Sequence, residues 1–149
     1  MSRKNYRLLL LNFIEKVEAI FTPEMNHNLL YFAIGTFIMD NEDRRYYNRE
    51  TLYRLFRGLQ KHLNKKRMSM PNPKDMRKVA AAYRPVYNVV HEVSLGWLTW
   101  EHHSTLVSKV KDPYEQMFYL ELSYRKGWSC QDMLYYIESD LYNKGSFIV

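Results

Sequence analysis

Arg54, Arg57, Lys61 and Lys65 follow one another at intervals of three or four residues, which on an α-helix gathers the cations within about 80° of its circumference. Leu52, Leu55, Phe56, Leu59 and Leu63 of the same segment take a sector of roughly 100° on the other side. Such a helix turns its apolar side to a core and its cations to water. There, guanidinium and ammonium groups bind phosphates and displace the counterions that phosphates hold. Arg49 stands at the start of this segment. Lys74, Arg77 and Lys78 follow it on the outward side of a short helix whose inward positions are Met76, Val79, Ala80 and Tyr83. These cations are the candidate nucleic-acid-binding set, and any base reading falls to the start of the second helix.

The charge distribution agrees. The chain of 149 residues carries a formal net charge of +6. Residues 44–84 alone hold thirteen Lys/Arg against two Asp/Glu, a net of +11, so both flanking arms are mildly acidic. A field of that kind attracts polyanions and speeds their encounter. A charge run is also what an ordinary solvated surface looks like. Tyr46, Tyr47 and Tyr53 interleave with Arg44, Arg45, Arg49 and Arg54, a composition that can stack on bases while holding phosphates. The competing reading puts these rings half in the core with wet hydroxyls. It is the better one for Tyr53, while both readings stand for Tyr46 and Tyr47.

Other chemistry is missing. No P-loop, dinucleotide-binding glycine pattern, serine nucleophile elbow or zincin motif occurs. Cys130 is the one cysteine, which excludes a disulfide framework and fits a reducing compartment; at a helix start it reads as structural. Of His27, His62, His91, His102 and His103 only the last two are adjacent, and helical neighbours point about 100° apart, a poor chelating pair. No metal, no cofactor and no enzymatic activity is expected. No apolar run approaches the roughly 18 to 20 residues that cross a membrane. The leucines near the start imitate a signal peptide, but Asn12, Glu15 and Lys16 cut them short. A soluble cytoplasmic protein is expected.

The elements that must carry these residues are helices. Hydrophobic residues make up 46% and charged residues 26%, ordinary globular values. Leu8 to Phe21 predicts a first helix ending at Thr22-Pro23, apolar over most of its circumference because Leu8, Leu9, Leu10 and Leu11 point in four directions. It must be buried on several sides, by its own domain or by a second chain. A second helix runs from Glu24 to Met39, with Leu30, Ile34, Phe37 and Ile38 as its stripe and Gly35 open to a close contact; Asp40 to Arg45 then connects. Asn48 caps the third helix, and Asn72-Pro73 opens the fourth, which stops or kinks at Pro85. The basic pair is HTH-like, with a connection longer than the usual tight turn. Thr99 caps a helix over Trp100–Lys109; Asp112, Pro113 and Glu115 open one that closes at Gly127. Ser129 and Asp132 open a last helix bearing Met133, Leu134, Ile137 and Leu141, before an apolar tail of Phe147, Ile148 and Val149. The fold expected is all-α: a single compact domain over 1–149, of about six to seven helices.

An ordered series of motifs resembles a known family. Leu98, Thr99, Trp100 and His102 are followed by Leu106, Lys109, Lys111, Asp112 and Pro113, then by Phe118 and Tyr119. Gly127, Trp128, Ser129, Leu134, Ile137, Glu138 and Leu141 complete the set, with Tyr31, Ile34 and Gly35 upstream. Over about residues 28–143 this is similar to the helical amino-terminal domain of unknown function that precedes the nuclease in the YhcG-type PD-(D/E)xK family. In place of that family's Gly-rich turn before the basic helix stands Arg45-Tyr46-Tyr47-Asn48. No Asp followed by a Glu-x-Lys triplet is present to hold magnesium for phosphodiester cleavage. The resemblance implies a helical accessory domain of bacteria and their mobile elements, DNA-binding or assembling, without the nuclease.

Two functions are therefore expected. The first is a non-enzymatic module that binds nucleic acid, duplex DNA in preference to RNA, through helices near 49–67 and 73–84. The alternative is a protein-interaction domain: a homodimer through the Leu8–Phe21 helix, or an adaptor for a separately encoded nuclease or recombinase. Both hold together in a twofold dimer that presents paired basic helices.

Overall fold

The computed structural model describes residues 2–20, 27–41, 49–65, 70–86 and 95–145, and among them the side chains of all but residues 17, 18, 20, 49, 52 and 63–65. The elements are α1 (Arg3–Ile20), α2 (His27–Asn41), α3 (Arg49–Lys65), α4 (Pro73–Tyr83) with a 3-10 turn over Arg84–Val86, α5 (Trp100–Lys109), α6 (Pro113–Lys126), α7 (Cys130–Glu138) and α8 (Leu141–Lys144). No strand occurs among the described residues, and the fold is all-α. Two compact units divide inside α4, Met1–Arg77 and Lys78–Val149. The expected Thr22-Pro23 stop, the Asn48 cap and the Phe147–Val149 tail lie outside the described residues.

In the first unit, Phe13 of α1 is the hub. It is 1% exposed, stacks on Phe37 of α2 at 4.6 Å between ring centroids and meets Phe56 of α3 edge-on at 5.5 Å. Leu30, Ile34 and Ile38 bury the expected stripe of α2. Gly35 is buried too, and Gly58 of α3 sets a close approach to α1. A Cβ there would stand 2.6 Å from Cδ1 of Leu10. The Tyr6 hydroxyl donates to the Arg54 carbonyl at 2.8 Å. Tyr6 with Arg54 and Leu10 with Gly58 keep one sequence offset, so α1 and α3 run parallel. On its far side α1 is not covered by its own unit, which leaves a second chain as the expected cover. Leu8 and Leu11 remain 57% and 54% exposed, because the described core partners meet the side bearing Tyr6, Leu10 and Phe13.

Asn72 caps α4 as expected: its Oδ1 accepts the Lys74 N–H at 2.8 Å, and its carbonyl accepts those of Asp75 and Met76. Met76, Val79, Ala80 and Tyr83 are all buried, and the helix ends two residues before Pro85.

The second unit is organised by caps. Thr99 caps α5, and His102 at the third position takes the reciprocal role usually filled by Glu or Gln. The His102 Nδ1 accepts from Thr99, and its Nε2–H donates to the Trp128 carbonyl at 2.8 Å, tying the start of α5 to the α6–α7 connection. Asp112 caps α6, which closes on Gly127 at φ 67°, and Ser129 with Asp132 forms the capping box of α7. The last helix of the sequence reading is broken in two. Asp140 adopts φ 55°, a left-handed conformation that Asp tolerates better than most residues, so α7 ends at Glu138 and α8 starts at Leu141.

His103 is wholly buried. The Leu95 carbonyl can only accept, so the Nε2–H donates to it at 3.0 Å, leaving Nδ1 to accept the Tyr83 hydroxyl proton at 2.8 Å. Burial pushes the imidazole pKa from 6.5 down to about 4, against the opposing pull of the Leu95 carbonyl.

Two outcomes follow from this packing. Replacing a helical glycine by alanine contributes up to about 1 kcal/mol through helix propensity. At Gly58 the new methyl displaces Leu10 and offsets that gain. Gly58→Ala should therefore be neutral or destabilising in urea unfolding, yet stabilising by about 0.5–1 kcal/mol in a Leu10→Ala background; equal effects in both backgrounds would contradict the contact. The second concerns pH. The unfolded chain protonates His103 below about 6.5 and the folded chain only near 4, so the stability due to the neutral ring is complete above pH 6.5 and is lost as pH falls towards 4. Thermal unfolding between pH 7 and pH 4 should show a shallower decline for His103→Gln than for the native chain.

Candidate nucleic-acid interface

The amphipathic pattern of α3 is realised. Leu55 and Leu59 are fully buried and Phe56 nearly so, while Arg54, Arg57 and Lys61 are exposed on the other side. Leu52, Leu63, Arg49 and Lys65 lie outside the described side chains, and Arg44, Arg45, Tyr46, Tyr47, Lys66 and Arg67 outside the described residues. Glu50, exposed in the first turn of α3, shares the outward sector one turn before Arg54. The basic face therefore starts at Arg54.

The exposed cations are not equivalent. Arg54 lies over the Tyr6 ring at 4.4 Å, a cation–π contact that holds the guanidinium against α1. Among the described residues, Arg57, Lys61, Lys74 and Lys78 have no carboxylate partner. Arg77 is half-buried and has interactions of its own. Lys74, Arg77 and Lys78 share one side of α4, as their spacing predicts.

One cleft of about 270 Å³ joins the two basic elements. Arg57 and Gln60 of α3 form one wall, Pro71, Asn72 and Lys74 at the start of α4 form the other, and Tyr53 contributes to the lining. Tyr53 is half-buried, in keeping with a packing role that leaves part of the residue in reach of the cleft. A second cleft of about 260 Å³ in the other unit, walled by Phe118, Leu122, Trp128 and Tyr136, has Lys126 as its charged residue. Of these two clefts the first has two cations in its lining, Arg57 and Lys74, against one in the second.

Sequence reasoning missed Arg3 and Arg7. Both are exposed and lie on α1 within about 60° of Leu10 around the helix. Because Leu10 meets Gly58, they flank the side of α1 that adjoins α3. Only the Tyr6–Arg54 and Leu10–Gly58 contacts disclose this, and neither leaves a periodic trace in the sequence.

Two adjacent histidines and the cysteine have structural partners. His102 and His103 spend both ring nitrogens on hydrogen bonds, and His91 lies outside the described residues. The Cys130 thiol donates towards the Glu101 carbonyl and Thr105 hydroxyl at 3.5 and 3.4 Å, fastening the start of α7 to α5. Among the described residues no group of three or more His, Cys, Asp or Glu could hold a metal ion, and no helix is long and apolar enough to cross a membrane.

No curated protein and no solved structure matches this chain. A family model, the DUF1016 N-terminal domain, matches residues 12–144. That span takes in both compact units and extends the expected resemblance from residue 28 back into α1. It covers every motif from Tyr31 to Leu141. The chain belongs to the DUF1016 N-terminal domain family.

Proposed function

We propose that this chain is a non-enzymatic nucleic-acid-binding module, with duplex DNA its preferred ligand, gripping phosphates through the outward faces of α3 and α4. One observation carries the reading: Arg57 and Lys61, one turn apart and exposed, have no carboxylate partner among the described residues, and Arg57 shares a cleft with Lys74. A cation already neutralised by its own protein would release no counterions on binding; these would. Arg3 and Arg7 extend the face, and Arg54, held on Tyr6, serves it with less freedom to reorient. The likeness to a helix-turn-helix rests on the two basic faces, the connection expected from the sequence being longer than a tight turn, and the start of α4 is the part that offers groups to base edges.

A second reading, a protein-interaction domain, is favoured by the exposure of Leu8 and Leu11 on α1. It makes the chain self-associate through that helix, or dock a separately encoded nuclease or recombinase.

The first reading is tested by titrating labelled duplex DNA, single-stranded DNA and RNA at a series of salt concentrations. Duplex binding should weaken steeply with salt. Arg57→Ala with Lys61→Ala should reduce the slope of log K against log salt by about 2, and Arg57→Glu with Lys61→Glu should abolish binding while the circular dichroism stays helical. Salt-independent binding, or unchanged affinity in the charge-reversed chain, would overturn the reading.

A further inference from the structure

The outward side of α1 carries a short, self-complementary pattern. Lys4, Leu8, Leu11 and Glu15 are all exposed and fall within about 60° of one another around the helix, on the side opposite Phe13. Their spacing of four, three and four residues is that of successive a and d positions in a heptad seam. The order is also symmetric about the point midway between residues 9 and 10, with a cation at one end, an anion at the other and two leucines between.

We propose that α1 pairs with α1 of a second copy in antiparallel orientation, about a twofold axis between residues 9 and 10, so that Leu8 packs on the partner's Leu11 and Lys4 meets the partner's Glu15. This rests on the self-association reading above and fixes its geometry. Charge complementarity selects the arrangement. In an antiparallel pair a positions face d positions, which brings Lys4 to Glu15 twice and Leu8 to Leu11 twice. A parallel pair would set a against a and d against d, placing Lys4 on Lys4 and Glu15 on Glu15, a like-charge arrangement that disfavours it. The occupant is a second copy because the stripe supplies both halves of its own complement, as an isologous interface must. Two heptads make a small interface, and such interfaces are weak, so the dimer should form with rising concentration.

Sedimentation velocity on the full chain between about 1 μM and 1 mM, the range in which small interfaces dissociate, tests this. The native chain should pass from the mass of one chain to that of two. Lys4→Glu alone and Glu15→Lys alone should each weaken dimerisation on the order of tenfold, because each converts two attractive contacts into repulsive ones. The double variant Lys4→Glu/Glu15→Lys restores opposite charges and should recover native association. All these positions are exposed, so the variants should keep their fold, which circular dichroism checks. The mass of one chain throughout would overturn both this geometry and the self-association reading. A dimer that resists Leu8→Glu/Leu11→Glu would place the contact away from α1, and one that α1 mediates without rescue by the charge swap would overturn the antiparallel register alone. None of these outcomes decides whether the basic face of one chain binds duplex DNA, which the salt titration of the Arg57 and Lys61 variants reads separately.

Discussion

The burial of three side chains decides where the charge of this protein points. Leu55, Phe56 and Leu59 are at most 2% exposed, and withdrawing each from water contributes about 1.5–3 kcal/mol. Arg57 and Lys61 are carried by the same rigid helix, so they have no independent choice of direction. Rotating α3 to hide the cations would expose those apolar groups and bury unpaired charges, which is costlier still. The outward basic face thus follows from the core. Its use is a separate matter, and the proposed binding of polyanions rests on the lack of an internal carboxylate partner for Arg57 and Lys61 among the described residues.

The polar groups of the second unit act in the opposite sense. His102 closes a capping box and reaches the Trp128 carbonyl, and His103 links Tyr83 to the Leu95 carbonyl. Each ring uses its donor and its acceptor at once, which only a neutral imidazole can do. Imidazoles committed in this way serve as struts that hold the end of α4, α5 and the α6–α7 connection in register.

What could be read from the sequence was local. The period of α3, the Asn72-Pro73 start, the caps at Thr99, Asp112 and Ser129 and the stop at Gly127 depend on residues within a turn or two of one another, so one chain segment carries the whole signal. Contacts between distant residues left no such trace. Gly58 looks like an ordinary weak point in a helix until Leu10 is seen to lie against it. Arg54 is spaced like its neighbours, yet the Tyr6 ring takes it. His102 occupies the Glu or Gln place of a capping box, and Asp140 breaks a helix whose apolar pattern continues past it. The four leucines of α1 announced burial on several sides, by its own domain or by a second chain, and the first unit leaves Leu8 and Leu11 exposed.

The proposed antiparallel pair and the basic face would also fit one another by symmetry. Arg7 lies on one flank of the α1 stripe, about 70° from its middle, and Leu10, which meets Gly58 of α3, lies further round in the same sense. A twofold axis perpendicular to the two α1 helices exchanges the copies but leaves each flank on its own side of the seam. In such a pair both Arg7 side chains, and both α3 helices that lie beyond them, therefore stand on one side. Two basic faces directed to the same side suit a single duplex, whose own pseudo-twofold axis matches that of the protein. A parallel pair would have its axis along the helices, and the two faces would turn to opposite sides, where one rod-like polyanion could meet only one of them. The charges at the ends of a leucine pair would then decide more than stability: they would decide whether two weak phosphate-binding surfaces act together.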